Sequence, residues 1–298
     1  MIRAGVDWGS SSFRAYRFDE QGSVIDSIAN ASGLREINGE STLRFEEILF
    51  DNIGHWLSTG DSILLSGMIT SKAGWVETSY LTCPQDVSEL ADHAKSMDIN
   101  GCHLFFLPGI KQTEPVADVM RGEELQLLGA SNNTGHCTIV LPGTHSKWAQ
   151  MNGSTLSAFR TIMTGELFAL IRHQSLVGAI ATSDAYNEDE FIKGVQQGYG
   201  SDTVLSELFT LRSSVLLEQL TASSVHSKLS GLLIGREIRE GHLLMGDDSD
   251  SVILVGADKL CELYKVAFKT LGTKVTQFEG EAAVLGFQLV ANSLLKDD

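Results

Sequence analysis

The sequence predicts an α/β protein built as two domains of similar plan. Three observations carry that prediction. At 298 residues the chain is long enough for two cores of ordinary size. Short apolar runs such as Ile63-Leu64-Leu65 and Val252-Ile253-Leu254-Val255 have the character of buried strands, and they alternate with segments of helical period. A strand, a turn of glycine and hydroxyl residues, and a second strand occur twice, once around Gly9 and again around Gly143.

In chain order, residues 2–6 read as a short buried strand and residues 13–18 as its partner. The turn between them, Asp7-Trp8-Gly9-Ser10-Ser11-Ser12, holds one carboxylate, one glycine and three serines. Glycine lets the backbone approach a ligand closely. Serine hydroxyls and loop N–H groups cradle phosphate, and an Asp at a strand end can hold the Mg²⁺ that accompanies it. Gly22-Ser23-Val24-Ile25 adds a turn and a third strand. Phe45, Ile48, Leu49, Ile53 and Trp56 follow a helical period.

The strand at residues 63–65 runs into Ser66-Gly67-Met68-Ile69-Thr70-Ser71-Lys72, with Trp75, Glu77 and Tyr80 close behind. Open α/β sheets collect ligands beyond the carboxyl ends of their strands, and this loop is suitable material for a small polar substrate. The pattern predicts a helix over residues 89–97 and a strand over 104–107. Asp118-Val119-Met120-Arg121-Gly122-Glu123-Glu124 then leads into a helix through Leu125 and Leu128. Acidic residues in a first helical turn suit the helix dipole. A carboxylate there can also take a proton from a substrate hydroxyl, and both readings stand for Glu123 and Glu124. The polar break Asn132-Asn133-Thr134-Gly135 divides the chain into domains 1–131 and 132–298.

The second half opens with a hydrophobic strand over 137–141, the turn Pro142-Gly143-Thr144-His145-Ser146-Lys147, and a strand over 148–151. Met163-Thr164-Gly165-Glu166 leads into an apolar helix, and residues 191–195, 204–220 and 230–240 are predicted to be mainly helical. The strand over 252–255 ends in Gly256-Ala257 before another helix, a join that lets a flat adenine ring lie against backbone. Residues 279–295 close the chain as an apolar helix.

A net charge of -16 weighs against a nucleic-acid partner, because phosphate-backbone binding needs a basic surface. No apolar run approaches a membrane span, and none at the start resembles a signal peptide. Cys83, Cys102, Cys137 and Cys261 stand far apart without a CxxC pair, as expected of reduced, buried thiols in a cytoplasmic protein. Neither GxxxxGK[ST] nor GxGxxG occurs in the chain, which removes the commoner nucleotide folds.

The stretches DWGSSSFRAY (7–16), SGMITSKAGWVETSYLTCP (66–84), DVMRGEELQLLG (118–129), LPGTHSKW (141–148), MTGELFAL (163–170), SGLLIGREI (230–238) and ILVGADKL (253–260) occur in succession. With these the chain resembles the actin/hexokinase/heat-shock ATPase superfamily and, within it, the 2-dehydro-3-deoxygalactonokinase family. The resemblance implies a duplicated RNase-H-like fold, the actin-like ATPase fold, with two lobes around an ATP cleft. It implies transfer of the γ-phosphoryl of ATP to the 6-hydroxyl of 2-dehydro-3-deoxy-D-galactonate in galactonate catabolism, with ATP and Mg²⁺ as cofactors. Asp7 would serve the metal. Gly9, Ser10, Ser11, Ser12, Gly143, Thr144 and Lys147 would hold the phosphates, and Gly256 and Ala257 the adenosine. Arg14, Lys72 and Arg121 are candidates for the substrate carboxylate, with Ser71, Trp75, Glu77 and Tyr80 framing the sugar acid.

The base is open between Glu123 and Asp118, because related sugar kinases carry Gly-Asp where this chain has Gly122-Glu123. Glu123 is preferred. The partners expected are the sugar acid and ATP, with no nucleic acid and no membrane, and a homodimer is compatible with the sequence. Two rival readings remain: a kinase of another sugar acid such as 2-dehydro-3-deoxygluconate, and a non-catalytic sugar-sensing ATP-binding protein.

Overall fold

The computed structural model describes residues 1–37, 42–131, 134–246 and 252–294. The chain divides into two compact units. Unit 1 comprises residues 1–135, 151–158 and 279–298, and unit 2 comprises 136–150 and 159–278. Asn132 and Asn133, part of the polar break in the sequence, lie outside the described residues, as does Leu295 at the end of the last predicted helix.

Unit 1 begins with β1 (Ile2–Trp8), β2 (Phe13–Phe18) and β3 (Val24–Asn30), an antiparallel meander. Helix α1 (Thr42–Ile53) follows, then β4 (Ser62–Ser66), which lies parallel to β1. Short strands β5 (Tyr80–Thr82) and β6 (Gln85–Asp86) precede β7 (Lys95–Ile99) and β8 (Cys102–Phe106). The main sheet has the order β3-β2-β1-β4-β8-β7. A smaller sheet pairs β5 with β9 (Gly109–Gln112) and β9 with β10 (Asp118–Met120), after which α2 (Glu123–Ser131) begins.

One face of β1 and β2 buries Ala4, Val6, Trp8, Phe13 and Ala15 with Ile48, Leu49 and Ile53 of α1. The other face meets the chain's last helix, where the Phe287 ring lies against Gly5. β1 accordingly alternates, with Ile2, Ala4, Val6 and Trp8 on the first face and Gly5 between Arg3 and Asp7 on the second, where it leaves room for that ring. Each large side chain buried this way contributes about 1.5–3 kcal/mol.

The helix predicted over 89–97 is absent. A 3₁₀ segment Val87–His93 takes its place, with β7 paired antiparallel to β8. Leu90 and Ala91 are buried as a helical turn would bury them, but β7 is an edge strand whose residues are mostly exposed, so its polar sequence carries no inward alternation. Asp118 likewise falls on a strand rather than at the approach to the helix.

Unit 2 contains β11 (His136–Leu141), β12 (Ser146–Asn152) and β13 (Thr155–Ile162), the last two changing unit along their length. Helices α3 (Thr164–Gln174), α4 (Glu188–Gly200), α5 (Val204–Leu216) and α6 (Val225–Met245) follow. Then come β14 (Val252–Leu254), α7 (Asp258–Thr270) and β15 (Val275–Gln277), and α8 (Ala282–Leu294) returns to unit 1. The strand order is β15-β14-β11-β12-β13, with β14 parallel to both β11 and β15.

Each unit thus repeats one plan: three successive strands side by side, then two parallel strands added on the far side of the first. The repeat read from the two turns is therefore a repeat of topology. The unit 2 core joins Val140 and Trp148 to Phe191, Ile238, Tyr264 and Phe268. All four cysteines are buried, and none is joined to another in a disulfide. Among the described residues no helix is long and apolar enough to cross a membrane.

Candidate active site

In unit 1 the parallel pairing of β1 and β4 sets Asp7 opposite Ser66, so Gly9 and Gly67 leave the same end of the sheet. Gly67 has φ of 92°, and a Cβ there would lie 2.8 Å from the Trp8 carbonyl oxygen and 3.2 Å from Asp7 Oδ1. Gly122, with φ of 109°, would place a Cβ 3.1 Å from Gly67 Cα and 3.7 Å from Asp7 Oδ1. Both positions need glycine for conformation and for space. Three chain segments therefore converge on one carboxylate: the first turn, the loop after β4 and the start of α2.

The first turn is closed by the Gly9 N–H donating to the Ser12 carbonyl at 2.9 Å. It is braced by the N–H groups of Leu34 and Arg35, which donate to the carbonyls of Gly9 and Ser10. Arg14 sits across the ladder from Asp7, with its Nη1 at 3.9 Å from Asp7 Oδ2 and its side chain half exposed. Burial pushes the Asp7 carboxyl up to about 6, Arg14 opposes that shift, and the charge of Glu123 adds to it. An ionised Asp7 is thus poorly compensated within the protein. A hard oxygen donor in that condition suits a divalent cation, and Mg²⁺ commonly takes one or two carboxylates with phosphate oxygens and water.

Helix α2 starts at Glu123, whose Oε2 accepts from the Arg121 N–H at 3.0 Å. Glu124, which the sequence left open between a helix-dipole residue and a base, is fully buried. Both of its carboxyl oxygens accept from the Gly122 N–H at 2.8 Å, and Ser66 Oγ lies 3.5 Å from Oε1. Burial, and after it the neighbouring charge of Glu123, raise the Glu124 carboxyl to about 7 against hydrogen bonds from the backbone and the charge of Arg121. The signal for Glu124 was its place one residue into a helix whose Leu125 and Leu128 are core. Asp118, the other candidate base, is on β10 opposite Gln112, with Oδ1 accepting from the Val119 N–H at 2.8 Å.

The loop after Gly67 is held from within. Arg121 is 8% exposed. Its Nη1 donates to the Thr70 carbonyl at 2.7 Å and to the Thr70 and Thr78 hydroxyls at 2.6 Å, and its guanidinium lies 4.2 Å over the Tyr80 ring. This guanidinium is committed to the loop, as is the ring of Tyr80. Ser71 Oγ donates to the Met68 carbonyl at 2.7 Å. Trp75 stacks on Phe45 and meets Phe106 edge-on, so its ring serves the core. Lys72 is exposed, and Glu77 is the acidic residue of this loop.

Replacing Arg121 by Lys should lower stability by about 3 kcal/mol in urea denaturation. A lysine cannot span both threonines, and their buried oxygens would lose a charged donor. A change under about 0.5 kcal/mol would contradict this role.

In unit 2 the parallel pairing of β11 and β14 brings the turn after Leu141 beside Gly256. The Pro142 carbonyl oxygen would lie 3.5 Å from a Cβ at Gly256, and Gly256 and Ala257 are exposed. In the turn the Gly143 N–H donates to Ser146 Oγ at 3.3 Å, and the Glu166 N–H at the start of α3 donates to the Thr144 carbonyl at 2.9 Å. His145 and Glu166 pair through their side chains. Lys147 is 4% exposed, and its Nζ donates to the His145 carbonyl at 3.3 Å. Thr144 and His145 are exposed at the tip.

Residues 7–288 match the family described as 2-keto-3-deoxy-galactonokinase. The chain belongs to that family. A 2-dehydro-3-deoxygalactonokinase from Escherichia coli (strain K12) is 32% identical over 292 residues, covering 97% of each chain. A crystal structure from Sinorhizobium meliloti superposes with a TM-score of 0.90 at 32% identity, covering 98% of this chain and 99% of that one. The ADPNP-bound activator of 2-hydroxyisocaproyl-CoA dehydratase from Clostridium difficile matches with a TM-score of 0.51 at 13% identity, covering 100% and 96%. That last likeness speaks for fold alone, and the fold is that of the actin-like ATPases.

Proposed function

We propose that this member of the 2-keto-3-deoxy-galactonokinase family is an ATP-dependent sugar-acid kinase, phosphorylating the 6-hydroxyl of 2-dehydro-3-deoxy-D-galactonate. The observation that carries the reading is the convergence of Gly67, Gly122 and Glu123 on Asp7, in a chain that matches the family over nearly its full length. A galactonate-derived substrate is favoured over 2-dehydro-3-deoxygluconate, and catalysis over sensing, by the same family match.

Phosphoryl transfer asks the protein mainly for positioning and charge neutralisation. Glu123 accepts the proton of the substrate hydroxyl, the hydroxyl oxygen bonds to the γ-phosphorus, and the bond to the β,γ-bridging oxygen breaks to release ADP. Asp7 would hold Mg²⁺, which when bound neutralises charge on the phosphate oxygens. Gly9, Ser10, Ser11 and Ser12 in unit 1, with Gly143 and Thr144 in unit 2, are the proposed phosphate contacts. Lys147 backs the second turn from beneath. Gly256 and Ala257 leave room for a flat base.

Arg14 and Lys72 offer the substrate carboxylate a charge, whereas Arg121 holds the loop that presents Lys72. Ser71 is buried, and Glu77 and Tyr80 keep the proposed place at the edge of the sugar-acid pocket. Cytoplasmic location and a homodimer belong to the same proposal.

The test is to incubate the protein with Mg-ATP and the sugar acid and read the product by phosphorus–proton correlation NMR. A phosphomonoester coupled to the protons on carbon 6 is expected. Inorganic phosphate alone, or an ester at another carbon, would contradict the reading.

A further inference from the structure

A second buried carboxylate stands behind the turn at Gly143. Glu237 lies on α6 in the row Leu233, Glu237, Gly241, a face that is otherwise apolar, and it is 1% exposed. A charged group in such a place persists only when hydrogen bonds satisfy it. Trp148 Nε1 on β12 donates to Oε1 at 3.0 Å, and the Tyr264 hydroxyl on α7 donates to Oε2 at 2.6 Å. Ser146 Oγ in turn lies 3.3 Å from the Tyr264 hydroxyl. Two donors from two other elements thus meet on one carboxylate, and one of them ties it to the turn.

Ser146 is the link to the turn. Its hydroxyl hydrogen is directed at the Tyr264 oxygen, because Tyr264 gives its own hydrogen to Glu237, and this leaves the Ser146 lone pairs to accept the Gly143 N–H at 3.3 Å. Glu237 therefore reaches the backbone of the tip at Gly143, through Tyr264 and Ser146.

We infer that Glu237 is a positioning residue for nucleotide phosphate, fixing the backbone of Gly143 through the hydroxyls of Tyr264 and Ser146. The inference rests on the reading of this turn as a phosphate-binding segment. Glu237→Gln keeps the shape but replaces one acceptor oxygen by a donor. The indole of Trp148 cannot accept, so the amide oxygen must face it and the NH₂ must face the Tyr264 hydroxyl. Tyr264 then accepts from the amide and turns its own hydrogen to Ser146 Oγ, in competition with the Gly143 N–H.

The experiment measures KM for ATP, KM for the sugar acid and Tm in Glu237→Gln, Ser146→Ala, their double variant, Thr144→Val and Ile238→Val. Glu237→Gln should raise KM for ATP about tenfold, the size of one lost charge-assisted hydrogen bond, with KM for the sugar acid unchanged. Ser146→Ala should act in the same direction, and the double variant should be no worse than the more affected single one. Ile238→Val, one position along the same helix, should lower Tm and leave both KM values alone.

A Glu237→Gln protein with lowered Tm and unchanged KM for ATP would overturn the inference, as would an equal rise in both KM values. Should Glu237→Gln fail to fold, Ser146→Ala decides alone, since it removes only the link to Gly143. Thr144→Val separates the two levels of the argument. If it raises KM for ATP while Glu237→Gln does not, the positioning role fails and the phosphate reading stands. If Thr144→Val leaves KM for ATP unchanged, the phosphate reading fails and takes the inference with it.

Discussion

Asp7→Asn is expected to lower kcat by about 10³-fold while making the metal-free protein more stable at neutral pH. The loss of rate corresponds to about 4 kcal/mol of transition-state stabilisation, within what a carboxylate serving a metal–phosphate centre supplies. The gain in stability follows from burial. The Asp7 carboxyl stands at about 6 in the folded protein against an ordinary 3.8. Between these values the unfolded chain has already lost its proton while the folded protein retains it. Stability therefore falls as pH rises from about 4 to about 6, and then stays level.

Over that window the loss is on the order of 2–3 kcal/mol. Asparagine has no charge to bury and escapes it. In EDTA the two proteins should unfold at similar urea midpoints near pH 4, with the variant ahead by about 1–3 kcal/mol at pH 7. A variant less stable than wild type at pH 7 would show that Asp7 is a structural carboxylate instead.

Glu123→Gln should lower kcat by about 10²–10⁴-fold, the usual loss for removal of a general base. KM for ATP should stay within about twofold, because Glu123 begins α2 and its carboxylate accepts from the Arg121 N–H, away from the proposed phosphate contacts. The charge of Glu123 reaches Asp7, which places it at the same centre. Asp118→Asn should remain close to wild type, since Asp118 lies on an edge of the small sheet with its carboxylate turned onto the Val119 N–H. Near-normal turnover in Glu123→Gln with loss in Asp118→Asn would move the base to Asp118.

The parts of this protein with a strong local rule could be read from sequence. The first hairpin is one such part, because apolar strands flanking a Gly-Ser turn leave few alternatives. The carboxyl ends of β4 and β14 are others, each an apolar run stopped by glycine. The duplicated plan was legible because both of its turns combine glycine with hydroxyls.

What was missed depends on contacts distant in sequence. Residues 95–99 form a strand only because β8 offers an edge, and their own pattern is polar. Arg121 looked like a free cation for a carboxylate, yet it is spent on Thr70 and Thr78, which lie far earlier in the chain. Trp75 looked like a pocket wall and turned out to stack on Phe45. Glu124 was read only as a dipole residue or a base, and Glu237 was passed over, for a related reason. A carboxylate within an apolar helical face is the sequence sign of a buried polar centre, and in both cases that sign was present.

The central claim is phosphoryl transfer to a sugar acid, and the most direct test is a coupled ADP-release assay with Mg-ATP. It would be run side by side on 2-dehydro-3-deoxygalactonate, on 2-dehydro-3-deoxygluconate and without sugar. Turnover on the galactonate derivative is expected to stand well above both other arms, and to be lost in Asp7→Asn. ADP release at the same rate in all three arms would contradict it.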